Sequence, residues 1–239
     1  MKPAPAGDAL DLLGRGDLRP LGLLPRASNF TFLAEVVDGD RTALAVYKPR
    51  AGETPLWDFP PGTLCNREVA AYLLARELGW PDVPATVLRD GPHGEGSVQL
   101  YVETDPAEHY FTLRDRFEDV FRAVAAFDLL VGNGDRKAGH CLLAPDGRVW
   151  SVDHGLCFAA NPWLRTVIWD FAGDPIPEAL VADIERTGEA VRSGTLREEL
   201  AGLLSEDELD ALAERARAVA SAGRYPAPGP GRSHPWPAI

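Results

Sequence analysis

Between Asp135 and Asp153 the sequence has room for one β-hairpin, which would return both acids to a single edge of the fold. Asp135 lies in a polar loop, residues 132–139 (GNGDRKAG), delivered by the end of an apolar run. Asp153 closes a second apolar run, Val149-Trp150-Ser151-Val152, and opens into His154-Gly155. Pro145-Asp146-Gly147 supplies the turn between short strands at 141–143 and 149–152. Gly, Asn and Asp are ordinary turn residues, so either acid alone reads as part of a surface turn. Together, at one edge, they suit metal coordination and activation of a hydroxyl.

The first half of the chain reads as a sheet with one helix. Apolar stretches at 29–37 and 42–48 flank Asp38-Gly39-Asp40 and predict a hairpin whose second strand closes on Lys48. Residues 8–24, Leu-rich around a Gly-Arg-Gly break, predict a short helix and a turn. Residues 49–63 are rich in Pro and Gly and predict a loop. Asn66 is the expected cap of a helix from Arg67 to Leu78, stopped by Gly79. Glu68, early on that helix, is placed to pair with Lys48. Residues 83–104 predict two strands around a turn at 90–96.

The second half turns helical. A stripe of Phe117, Val120, Phe121, Val124 and Phe127 predicts a helix over 115–130. Pro177 suits the first position of a later helix, and Thr195…Glu198 and Ser205…Glu208 match capping boxes for two more. The tail from Tyr225, YPAPGPGRSHPWPAI, is expected to be extended and to lie along a surface. The order predicts an α+β fold, with a sheet-rich N-terminal lobe at 1–104 and a helical lobe at 105–239.

Charge and cysteine usage narrow the function classes. A net charge of −12 argues against broad binding to nucleic acid or anionic membrane, while leaving room for a nucleotide held by a few local cations. The apolar runs are short and interrupted by charge, so no integral membrane association is expected. Three cysteines without a CxxC pair, and an N-terminus without a signal pattern, predict a reduced, cytoplasmic protein. His140, Cys141, His154 and Cys157 match no standard zinc spacing, and the cysteines are expected to be buried instead.

A strand lysine, a loop acid and a strand-end acid, in that chain order, are the parts that phosphoryl transfer from ATP requires. The three segments resemble the catalytic core of the phosphatidylinositol 3-/4-kinase-like branch of the protein-kinase-like superfamily, which includes the HipA-type kinases. More closely, GETPLWDFPPGTLCNRE, GNGDRKAGH, VDHGLCF and the ending HPWPAI resemble an uncharacterised actinobacterial family carrying this domain. The resemblance implies a two-lobed protein-kinase-like fold that uses ATP with Mg²⁺ or Mn²⁺. It implies catalytic roles for Lys48, Asp135 and Arg136, with Arg136 and Lys137 neutralising phosphate or holding the loop. Lys48 would bind phosphates, positioned by Glu68. Ser28 and Asn29 would lie over the phosphates, and the strand carrying Gln99 and Tyr101 would offer its backbone to adenine. Asp153 would bind metal, with His140 as second ligand.

Two departures follow. His140 stands where the family has a metal-binding Asn, and the phosphate-covering segment lacks glycines. The expected function is a kinase acting on an unknown acceptor, protein or small molecule rather than lipid. A nucleotide-binding pseudokinase that regulates a protein partner, or an AMP transferase, is the alternative.

Overall fold

The computed structural model describes residues 6–25 and 29–239; Ser28, expected to face phosphate, lies outside the described residues. Helix α1 (Ala6–Arg15) leads into strand β1 (Asp17–Leu23). The expected turn at this point is therefore a strand, paired antiparallel with β2 (Phe32–Asp38). Pro20 has no N–H to donate, which an edge strand tolerates, and the register slips between Pro20 and Gly22. Strand β3 (Arg41–Pro49) completes the expected hairpin, closed by the pair Asp38 and Arg41. Strands β4 (Thr86–Gly91) and β5 (Gly94–Leu100) run further into the predicted turn than the glycines suggest, leaving Pro92 and His93 between them. All neighbours are antiparallel in the order β1-β2-β3-β5-β4.

The two faces of this sheet differ in kind. Ala34, Val36, Ala45, Tyr47 and Val98 share one face by register and are fully buried, in one core with Ala9, Leu12 and Leu13 of α1. Arg89 on β4 fastens that layer, donating to the carbonyls of Leu13 (2.9 Å) and Gly16 (2.8 Å). The opposite face carries Leu44, Val46 and Lys48, with Leu33, Glu35 and Gln99 across the strands.

Helix α2 (Leu64–Leu78) follows. It begins before Asn66, so that residue does not cap it. The Glu53 carboxylate instead accepts the N–H groups of Leu64 (3.1 Å) and Cys65 (2.8 Å). Asn66 accepts from Arg50 at 3.0 Å and donates to the Leu203 carbonyl.

The later part comprises a single turn α3 (Tyr110–Leu113), α4 (Glu118–Val131), the hairpin β6 (Cys141–Leu143) with β7 (Val149–Ser151), and α5 (Glu178–Ser193), α6 (Thr195–Leu200) and α7 (Glu206–Ala222). Phe121, Val124 and Phe127 of α4 are fully buried, as their stripe requires. Pro177 takes the N-cap position of α5, one residue earlier than expected. Thr195 is already helical and Gly194 occupies the cap of α6, so no capping box forms there. Ser205 and Glu208 do form one at α7. The result is an α+β architecture, an antiparallel five-stranded sheet in the N-terminal part followed mainly by helices.

Candidate active site

Lys48 is the penultimate residue of β3, where that strand lies close against β5. A Cβ on Gly96 would stand 2.3 Å from the Lys48 carbonyl oxygen, so only glycine lets the strands close here. Strand alternation then turns Lys48 toward α2. Its ammonium donates to Glu68 Oε1 and, at 2.8 Å, to Asp153 Oδ1, a residue 105 positions away. The second oxygen of Glu68 accepts the backbone N–H of His154 at 3.0 Å. One buried carboxylate therefore joins β3, α2 and the turn after β7.

Burial and pairing act against each other across this cluster. Burial pushes the Glu68 carboxyl upward, and the Lys48 ammonium pulls it back. Burial disfavours the charge on Lys48, yet Asp153 and Glu68 together outweigh it and raise its pKa. Lys48 in turn holds Asp153 far below the usual carboxylate range. Asp153 also has a φ of 62°, a left-handed backbone conformation that is uncommon outside glycine.

Asp135 follows helix α4 through a well-anchored loop. Gly132 ends α4 at φ 63°, and a Cβ there would lie 2.4 Å from Pro162 Cβ. Asn133 is fully buried; it donates to Asp128 Oδ1 (2.9 Å) and accepts the N–H of Asp135 (2.9 Å). The Asp135 carboxylate meets Lys137 Nζ at 3.0 Å. Burial lifts its pKa, Lys137 opposes that, and the charge of Asp153 adds to the rise. Sequence order and the β6–β7 hairpin thus bring the two acids to one edge.

Arg136, expected among the catalytic residues, faces away from that edge. Its side chain is 0% exposed and pairs with Asp128 at 2.9 Å. It also donates to the Val152 carbonyl (3.0 Å) and to His154 Nε2 (2.9 Å). Of the two roles weighed for it, this arrangement is the one that holds the loop. Accepting from Arg136 assigns His154 the tautomer with its proton on Nδ1, a buried atom without a partner among the described residues. Asp128 was not anticipated; the available signal was a lone acid within the apolar end of α4.

His140, expected as a second metal ligand, lies beside Asp153. Its Nδ1 accepts the N–H of Lys137 (3.3 Å), so the neutral ring carries its proton on Nε2 and donates to Asp153 Oδ2 at 3.2 Å. Burial lowers its pKa to about 4, which keeps it neutral. Among the described residues no group of three or more His, Cys, Asp or Glu side chains is arranged to hold a metal. A magnesium-like ion needs only one or two carboxylates when substrate phosphates complete its shell, and Asp153 fits that requirement. Cys65, Cys141 and Cys157 are all buried and free, and burial raises each thiol, so none is poised as a thiolate ligand.

The remaining expected binders are placed unevenly. Gln99 is buried in β5, its side chain donating to Thr86 Oγ1 at 2.8 Å. Tyr101 gives its backbone N–H to the Leu44 carbonyl (3.0 Å). Neither backbone amide is open to a ligand; the next N–H groups, on Val102 and Glu103, have no partner among the described residues. Asn29 accepts from the backbone N–H of Thr54 (2.8 Å), which moors the Pro-rich loop. On the far side of Asp135, a cavity of about 30 Å³ is lined by Gly134, Leu156, Trp163 and Arg165.

Both the sequence and the fold have known relatives. The family model described as phosphatidylinositol 3- and 4-kinase covers residues 62–185. Protein Rv2133c of the actinobacterium Mycobacterium tuberculosis is 38% identical over 263 residues, spanning 95% of this chain and 94% of its own. Phosphatidylinositol 4-kinase gamma 4 of Oryza sativa subsp. japonica is 30% identical over 115 residues, which is 38% of this chain and 20% of that protein. In fold, the chain resembles the crystal structure of the golgi casein kinase, with a TM-score of 0.52 and 16% identity over 90% of this chain and 75% of that one.

Proposed function

The chain belongs to the phosphatidylinositol 3- and 4-kinase family, and from that premise we propose that it transfers the γ-phosphoryl group of ATP to a hydroxyl acceptor, using Mg²⁺ or Mn²⁺. One observation carries the reading: the Lys48 ammonium lies between Glu68 and Asp153, three residues from three separate elements. A structural ion pair needs one partner; a lysine fixed by a buried acid and shared with a half-exposed one is preorganised for phosphate.

In this mechanism Lys48 binds the α- and β-phosphates and Glu68 fixes its direction. Asp153 would hold the metal, which would supply positive charge to the phosphate oxygens, and His140 orients the Asp153 carboxylate. Asp135 takes the acceptor's proton as the acceptor oxygen bonds to phosphorus and the bridge to ADP breaks. A carboxyl lifted by burial suits that role. Leu33, Leu44 and Val46, on the Lys48 face, form an apolar roof for adenine, with Val102 and Glu103 offering backbone N–H groups. The cavity at Gly134, Trp163 and Arg165 is the acceptor side. A net charge of −12 favours protein or small-molecule acceptors over an anionic lipid surface.

His140, a softer ligand than the Asn that the resemblance has at this place, favours a second reading, a nucleotide-binding pseudokinase. Calorimetry with ATP and Mn²⁺, paired with release of label from γ-labelled ATP, separates the two. Binding with turnover supports the kinase, binding without turnover supports the pseudokinase, and no binding removes both.

A further inference from the structure

The Pro-rich tail returns to the catalytic loop, and the geometry points to residues 233–238 as a positioning segment for Asp135; the consequence for turnover rests on the kinase reading above. The chain leaves the helical lobe at buried Tyr225, stays exposed over 226–232, and docks again where Pro235 is buried. Docking is made by backbone carbonyls. Ser233 accepts the N–H of Thr166 at 3.1 Å and the indole N–H of Trp169 at 3.2 Å. Ala238 accepts the N–H of Ala138 at 2.8 Å.

These donors flank the reacting edge. Thr166 is bridged in parallel to Arg136, with Arg136 N–H donating to Arg165 (2.9 Å) and Val167 N–H donating to Arg136 (3.1 Å). Tail, segment 165–169 and catalytic loop thus lie side by side. Ala138 is the third residue after Asp135 and is fully buried, so its N–H must find an acceptor inside the protein. Asp135 is consequently held from both sides: by Asn133 and Arg136, which bond Asp128 of α4, and through Ala138, which donates to Ala238 of the tail. Five prolines from Pro226 onward keep the tail extended before it docks, so little conformational freedom is lost on docking.

The test deletes residues 233–239 and reads two independent quantities. Amide hydrogen exchange is expected to speed up about tenfold or more in peptides covering 132–140 and 163–169, while α2 and α7 stay protected. With ATP and Mn²⁺, kcat for γ-phosphate release is expected to fall about tenfold with KM for ATP within about twofold, because the nucleotide end is untouched. Adding a synthetic peptide of residues 224–239 restores both. Ala138→Pro in the full chain is the narrower variant. Lys137 is already extended (φ −90°, ψ 161°), as a residue before proline must be, and the change removes one donor. Unchanged exchange in both peptides, or equal loosening of α2 and α7, overturns the proposal. Failure of the full chain to turn over ATP would instead remove the kinase reading and leave the exchange result standing.

Discussion

At the scale of single residues, the site is an exchange between burial and charge. Glu68 is 2% exposed; burial raises its carboxyl and Lys48 opposes that rise, so the two substitutions should differ in kind. On the kinase reading, Lys48→Ala removes the cation proposed to bind phosphate and should lower ATP turnover about 100-fold or more. Glu68→Gln leaves the cation but frees its direction, and should cost about tenfold, measured as kcat/KM with ATP and Mn²⁺. Equal losses would mean that Glu68 does more than orient Lys48. Acid should act through His140, whose pKa burial lowers from 6.5 to about 4. The unfolded histidine binds its proton first, so the stability due to its neutral form is full above pH 6.5. It is lost as pH falls from there through 4. The slope is up to about 1.4 kcal/mol per pH unit for each such histidine, and His154, lowered by burial in the same sense, adds to it. Urea midpoints of metal-free protein between about pH 6.5 and 5 should therefore fall less steeply in His140→Asn. An unchanged slope would show that His140 is not held neutral.

Among elements, helix α2 sets the geometry because it is gripped from both sides. Arg67, next to Glu68, is 1% exposed; it pairs with Glu208 of the α7 capping box and donates to the Cys157 carbonyl at 2.7 Å. The ring of Phe59 lies 4.8 Å from its guanidinium carbon. Arg67→Ala leaves a buried carboxylate without its partner and should cost about 3–5 kcal/mol in urea unfolding. Arg76→Ala, also on α2, removes an exposed pair with Glu199 of α6 and should cost under about 1 kcal/mol. The contrast shows what sequence patterns could convey. Strand alternation, the Asp-Gly turn and the α4 stripe are local and exposed β2–β3, α4 and the ordered Lys48, Asp135 and Asp153. The cap on α2 comes from Glu53, eleven residues before Leu64, and the Arg67–Glu208 pair joins residues 141 positions apart. No periodicity encodes such contacts. The same limit explains Arg136: a motif gives its place in the loop, but only packing decides whether its side chain faces the cleft or the interior.

For the whole molecule, the triad spans the sheet-rich and helical parts, so a ligand on it should stabilise both together. Lys48 comes from β3, Glu68 from α2 and Asp153 from the turn after β7. A triphosphate with its metal would engage all three, and none of those engagements survives unfolding. At a concentration about 100 times its dissociation constant, such a ligand adds about 2.7 kcal/mol to stability. For a chain of this length that is a rise in Tm of about 5–10 °C. ATP with Mn²⁺ should produce that rise in the natural sequence. ADP with Mn²⁺ should give a smaller one, because the γ-phosphate is absent. Lys48→Ala and Asp153→Ala should abolish most of it, whereas Asp135→Asn, acting on the acceptor rather than the nucleotide, should keep it. A rise that persisted in Lys48→Ala and Asp153→Ala would place the nucleotide elsewhere on the protein. A rise lost in Asp135→Asn would mean that the catalytic loop belongs to the nucleotide site and not to the acceptor side.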